Sequence, residues 1–180
     1  MGTRYISALL IALSISLNLS AQKKSKGPII KEYGAVWAIE QPDFKVDTTK
    51  TYRAVFDIMN SPESHDKVNA SIETAARFLN MHAQSGVPAE NLKAALVVHN
   101  QASKDIISDT AYQKRYGTAN PNSELIKALQ HAGVDIIFCG QSSNARGFPK
   151  EDLMEGVQLS LSAMTALIHL QDQEYRLIKF

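Results

Sequence analysis

A single cysteine is the residue best suited to chemistry in this sequence. Cys139 follows the short apolar run 134–138 and precedes the polar segment 140–143, Gly-Gln-Ser-Ser. An apolar run that stops at such a segment predicts a β-strand that delivers a thiol to the loop beyond its carboxyl end. In open parallel α/β sheets, ligands bind at that edge. A lone thiol there is either a reactive sulfur or a small packing residue, and both interpretations are open at this point.

The residues after Cys139 favour the thiolate form. We expect a polar loop over residues 140–150, in which the backbone N–H groups of 140–143 turn toward a helix start. Positive potential of this kind lowers the pKa of a thiol, and the side chains of Gln141 and Ser142 add donors for a polar sulfur adduct. The opposing interpretation is that free cysteines are commonly buried and behave as small hydrophobic residues.

Two further candidates lie where other strands are expected to end. His99 follows the apolar run 92–98, and Asn60 follows the run 52–59. Because parallel strands joined by right-handed crossovers end at one edge, Asn60, His99 and Cys139 are expected to be neighbours. There His99 can shuttle a proton or raise the thiolate fraction by ion pairing. The alternative is a histidine that bonds a nearby backbone carbonyl.

Other side chains give weaker indications. Arg146 is a candidate anion-binding residue, or simply a solvated arginine of the loop. The remaining four histidines show no metal-ligand spacing, and no second cysteine is present, so we expect no metal site. No glycine-rich phosphate loop, nucleophile elbow or paired-carboxylate pattern occurs, so the sequence indicates no cofactor.

Alternating strands and helices must position these residues. Strands are expected at the apolar runs 52–59, 92–98, 134–138, 157–161 and 175–180. Helices are expected from a cap near Ser64 to Gly86, at 102–116, at 123–131, and after a cap at Ser162. Strands that are apolar on both faces and alternate with helices predict the α/β class. The expected fold is a three-layer α/β/α sandwich with a mainly parallel sheet of about five strands.

The amino-terminal residues have the pattern of an export signal. Arg4 precedes an apolar stretch of about fifteen residues, too short for a membrane-spanning helix, and Ser20-Ala21 resembles a cleavage site. We therefore expect residues 1–21 to be a signal peptide and the protein to be periplasmic or secreted; the alternative is a retained membrane anchor. Residues 22–50 are expected to form a basic tether and an irregular extension, and residues 51–180 the domain.

Charge and cysteine content exclude several classes of partner. The chain has 19 Lys and Arg and 18 Asp and Glu, and removal of residues 1–21 takes away one arginine and no acid. The neutral remainder has no basic field for nucleic acid or for anionic membrane. One cysteine cannot form an internal disulfide, so the sulfur is free, modified or bonded to another molecule.

Several segments resemble the DsrE/DsrF-like family, whose best-understood members are sulfur-relay proteins. The resemblance covers about residues 50–180. The matching segments are 77–82, 86–92, 97–99, 120–122, 133–142 and 161–166. The resemblance implies a parallel α/β/α sandwich, a persulfide carried on Cys139, a binding position at Asn120, and homo-oligomers such as trimers or hexamers. Two departures are Asn100, where similar members often have glycine, and the export signal, since relay proteins work in the cytoplasm.

Three functions therefore compete. The first is an exported sulfur carrier that forms a persulfide on Cys139 and exchanges sulfur with a thiol or sulfur-species partner. The second is a non-catalytic, oligomeric binding or assembly module in which Cys139 only packs. The third is a redox sensor that forms an intermolecular disulfide. Any enzymatic activity would be limited to sulfur transfer through the persulfide.

Overall fold

The computed structural model describes residues 23–179. The expected signal peptide, residues 1–21, lies outside the described residues. Within the described range, no helix combines the length and the apolar character that crossing a membrane requires.

Five parallel strands form one sheet, in the order β4-β3-β2-β1-β5. Their bounds are β1 Tyr52–Ile58, β2 Leu92–Val98, β3 Asp135–Cys139, β4 Gln158–Ser160 and β5 Arg176–Ile178. The helices are α1 Ala70–Gln84, α2 Asp109–Tyr116, α3 Ser123–His131, α4 Gly140–Arg146 and α5 Ala163–Asp172. This arrangement confirms the three-layer α/β/α fold.

The two faces of the sheet carry unequal layers. Helices α1, α2 and α3 contribute to the large apolar core on one face. On the other face, α5 packs through Ala163, Ala166 and Leu170 against a small cluster that contains Val55, Val97 and Cys139. Because side chains alternate along a strand, odd-numbered positions of β1, β2 and β3 point toward α5. Helix α4 lies at the carboxyl edge of the sheet, directly after β3.

The start of α1 differs from the expectation. Its N-cap is Asn69, whose side chain accepts a hydrogen bond from the N–H of Ser71 at 2.9 Å, and not Ser64. Ser64 instead bonds Asp66 within the preceding turn. Asn69 is held in place from outside the helix, because its Nδ2 donates to Asp105 Oδ2 and to the carbonyl of Asn60, each at 2.7 Å.

Two other segments were incorrectly predicted. The polar segment expected as a loop forms α4, which the left-handed Gly147 ends. Its sequence lacks apolar periodicity because Ser143 is the buried residue of the helix. The continuous helix expected at 102–116 is divided into a 3₁₀ segment, Asn100–Ile106, and α2, for which Ser108 supplies the cap.

The extension before β1 is irregular and is fastened to α1. Asn80, fully buried in α1, accepts from the N–H of Ile30 and donates to the carbonyls of Ile30, Tyr33 and Gly34. Gly34 has a φ of 69°, and a Cβ there would lie 2.5 Å from the Ala76 carbonyl carbon. A single antiparallel bridge joins Ser25 to Val36.

Replacing the buried amide should release this extension. We expect Asn80→Ala to lower the free energy of unfolding by about 2 kcal/mol or more, since it leaves buried backbone groups without partners. Urea unfolding followed by circular dichroism measures this. Asn144→Ala, an exposed change in α4, is the control, and equal stability of the two variants would contradict the fastening role.

Candidate functional site

Cys139 lies where three elements meet. It is the last residue of β3, it pairs with Ser160 of β4, and it occupies the N-cap position of α4. The residue is 5% exposed and forms no disulfide. Its side chain belongs to the cluster under α5, so the sulfur lies between the sheet edge and that helix.

The surroundings of the sulfur favour an anion. Burial alone would raise the pKa of the Cys139 thiol, but hydrogen bonds outweigh it and lower the pKa below its usual value. The donors are the N–H and hydroxyl groups of Ser142 and the N–H groups of Ala163 and Gln141. A thiolate here is held mainly by backbone groups, which cannot swing away as side chains do.

Two helix starts converge on this sulfur. Gln141 and Ser142 belong to the first turn of α4, and Ala163 is the first residue of α5. Ser162 caps α5 by accepting from the N–H of Thr165 at 3.0 Å, which leaves the N–H of Ala163 directed at Cys139. Gly140 makes the convergence possible, because a Cβ at this position would lie 2.6 Å from the carbonyl oxygen of Ser160.

A charged row continues from Cys139 across the same face of the sheet. Val98 of β2 pairs with Phe138 of β3 in a parallel ladder. The residues that follow them, His99 and Cys139, therefore lie side by side at the carboxyl ends of these two strands. Nε2 of His99 lies 2.7 Å from Oδ1 of Asp57 on β1, and Nζ of Lys179, just past β5, lies 2.9 Å from Oδ2 of the same carboxylate. Burial alone would raise the pKa of Asp57, but the hydrogen bonds and charges of Lys179 and His99 outweigh it and hold the pKa below its usual value.

His99 is oriented by Asp57 and not by the sulfur. The hydrogen bonds that reach Cys139 come from Ser142, Ala163 and Gln141, and His99 is not among these donors. The imidazole is partly exposed, with 22% of its side chain accessible. His99 is therefore fixed at the end of the strand beside β3, with part of its ring open to solvent.

Asn100 takes part in the wall of the site. Its φ is 54°, a left-handed conformation that glycine adopts freely and asparagine tolerates. The N–H of Asn100 donates to the hydroxyl of Ser142 at 3.0 Å, and the guanidinium of Arg146 donates to Oδ1 of Asn100. Asn100 thus holds a backbone conformation that glycine would adopt freely, and its side chain adds a link to α4.

The structure separates some of the other candidates from the sulfur. Gln141 reaches the sulfur only through its backbone N–H, while its exposed side chain donates to the carbonyl of Leu161 at 3.3 Å. Asn60 and Arg146 line a separate open cleft of about 520 Å³. Asn120 is buried, and its amide is used internally: Nδ2 donates to the carbonyls of Asp105 and Ile107, and Oδ1 accepts from the N–H of Asn122.

Three residues of the site were missed in the sequence. Asp57 gave a signal, since it is a carboxylate between the apolar Phe56 and Ile58 of a central strand. Lys179 gave none, because a lysine near a strand end is ordinary. Ala163 gave none either, because its contribution is a backbone N–H that any residue except proline carries. Among residues 23–179, no group of three His, Cys, Asp or Glu side chains could hold a metal ion.

Removing one donor should change the acidity of the thiol. We expect Ser142→Ala to raise the pKa of Cys139, because the hydroxyl donor is lost while the backbone donors remain. Titration of the thiolate absorbance against pH measures this. Ser143→Ala is the matched control, since that hydroxyl donates to the carbonyl of Phe148 and not to the sulfur; a shift of the same size in both variants would contradict the assignment.

Comparison with known proteins agrees with this architecture. No curated protein matches the sequence at a significant level. Two solved structures share the fold: MTH1491 from Methanobacterium thermoautotrophicum, described as a protein of unknown function, and the ychN protein from E. coli. The identities are 21% and 17%, the TM-scores are 0.53 and 0.52, and each match covers 72% of this chain and 99% of the other. The sequence model of the DsrE/DsrF-like family matches residues 53–180, so the chain belongs to the DsrE/DsrF-like family.

Proposed function

We propose that this protein is a sulfur carrier that holds a persulfide on Cys139. The observation that carries the proposal is the convergence of N–H and hydroxyl donors from α4 and α5 on one buried sulfur, which lowers its pKa. A persulfide is itself anionic near neutral pH, so the same donors suit both the unloaded thiolate and the loaded group. Membership of a family that includes sulfur-relay proteins gives the proposal further support.

Loading and unloading would each be one displacement at sulfur. In loading, the Cys139 thiolate attacks a sulfane sulfur of a polysulfide; one S–S bond forms, one breaks, and the electron pair leaves with the shortened polysulfide. In unloading, a partner thiolate attacks the outer sulfur of the persulfide, and Cys139 departs as a thiolate. Neither step needs an outside oxidant or reductant, and the site donors stabilise the cysteine sulfur as nucleophile and as leaving group.

The burial of Cys139 limits the size of the molecule that can supply its sulfur. With Cys139 only 5% exposed, the sulfur is accessible to a slim chain such as a polysulfide more easily than to a bulky disulfide. His99, held by Asp57 at 2.7 Å, would bind the anionic end of the approaching polysulfide or protonate the product that leaves. With the expected signal peptide, we propose that the reaction takes place outside the cytoplasm.

Polysulfide treatment tests the carrier directly. We expect intact mass spectrometry to show one added sulfur on the unmodified protein and none on Cys139→Ser. We expect His99→Gln to load more slowly and with an altered pH profile, while His131→Gln, on the exposed end of α3, loads normally. A Cys139 that gains no sulfur under conditions in which a small thiol does would refute the carrier function.

A second candidate, an oligomeric assembly module, is favoured by the surface of α5. Met164 and Ile168 of α5 are 72% and 61% exposed and lie four residues apart on the helix, and Leu161, just before the N-cap, is 73% exposed. Large apolar side chains grouped on one helix are typical of an interface. We propose that a second copy of this chain covers them, which would place the copy beside Ala163 and hence beside the sulfur.

One charge on this surface should disrupt such an assembly. We expect the unmodified protein to be oligomeric and Ile168→Glu to be monomeric by light scattering, because a carboxylate cannot be buried there without a partner. Gln171→Glu places the same charge on an exposed position of the same helix and should leave the oligomer intact. A monomeric unmodified protein would contradict this candidate and would leave the carrier proposal unaffected.

A further inference from the structure

A groove of about 1030 Å³ lies between α1 and the edge strand β5, away from the cysteine. It is on the opposite face of the sheet, since Ala54, Phe56 and Ile178 form its floor and belong to the large core. No described helix covers β5 on this face, so Ile178 is left partly exposed, whereas Ala54 and Phe56 are buried beneath α1. The volume reaches the upper end of the ~300–1,000 Å³ that small-molecule sites occupy.

Aromatic rings form one wall of the groove. Phe78 of α1 packs edge-on against Phe56 with ring centroids 5.8 Å apart, and His82 lies 4.5 Å from Phe78. Tyr52 completes the series at 4.9 Å from His82. These rings support one another, so the wall is preformed. Such a surface suits an alkyl chain or a flat apolar body.

One positive charge at the mouth of the groove has no salt-bridge partner among residues 23–179. Three of the cations that line it are paired: Arg77 with Glu73 at 3.8 Å, Lys50 with Asp47 at 3.7 Å, and Arg53 with Glu174 at 3.5 Å. Arg176 also lines the groove, and no residue of the range 23–179 pairs with its guanidinium. Because Arg176 and Ile178 are two positions apart on β5, they share this face of the sheet.

We propose that this groove binds an amphiphilic carboxylate, with the apolar body along Phe56, Phe78 and Ile178 and the carboxylate on Arg176. A planar guanidinium matches a carboxylate through two parallel hydrogen bonds. The apolar floor accounts for the body of the ligand, and the unpaired charge accounts for its acidic end. The site is independent of the sulfur chemistry, since Asp57 and Cys139 point to the other face.

Calorimetric titration with decanoate tests the groove, with decan-1-ol as the chain-matched neutral probe. We expect one decanoate to bind per chain and decan-1-ol to bind more weakly. Arg176→Gln should weaken decanoate binding about fivefold, equivalent to about 1 kcal/mol for an exposed ion pair, and leave decan-1-ol unchanged. Lys150 is exposed and does not line the groove, so Lys150→Gln should leave the binding of both probes unchanged.

A blocking variant separates the groove from other surfaces. Ala70 lines the groove and is exposed at the start of α1, so Ala70→Trp should fill the space and abolish binding while the fold, checked by circular dichroism, is kept. Three outcomes would overturn the proposal: no decanoate binding by the unmodified protein, equal binding by Ala70→Trp, or equal affinity for the acid and the alcohol. An oligomer that Ala70→Trp converts to monomers, without decanoate binding, would show that a second copy occupies the groove.

Discussion

The position of the Cys139 sulfur depends on how closely the chain around β4 approaches the start of α4. The carbonyl oxygen of Ser160 lies only 2.6 Å from the position that a Cβ of residue 140 would take, so this close approach requires glycine. The Ser160 hydroxyl lies 3.0 Å from the carbonyl oxygens of both Phe138 and Ser162 and can donate to either, so it links β3 to the residue before α5. This close approach of the segment 160–162 to the start of α4 brings the N–H of Ala163 to the sulfur.

Strand β1 divides the molecule into two chemical environments. Asp57 points to the face covered by α5, where it fixes His99 and meets Lys179. Its neighbour Phe56 points to the opposite face, where it forms the floor of an apolar groove. The thin layer over one face leaves room for charged and reactive groups near solvent. The thick layer over the other face stops short of β5, where Ile178 is left partly exposed.

Sequence reasoning identified the parallel sheet and the location of the cysteine. Strand β2 was predicted with its observed bounds, because an unbroken apolar run is the signature of a strand buried on both faces. Helix α4 was missed, since periodicity detects only helices that bury an apolar stripe. The cap at Asn69 was missed because Asp105, distant in the sequence, holds that side chain. The donor at Ala163 was missed because backbone groups have no sequence signature.

The near-complete burial of Cys139 also bears on how the thiol would respond to oxidation. A disulfide between two copies requires the sulfur atoms to approach to ~2 Å. A sulfur with 5% exposure reaches that distance only if the junction of α4 and α5 opens in both chains. Covalent dimerisation is therefore kinetically disfavoured, and the redox-sensor function fits the geometry least well. If the proposed carrier function holds, the same burial would shield a persulfide on Cys139 from bulky thiols, and only a partner cysteine that reaches into the junction could remove the sulfur.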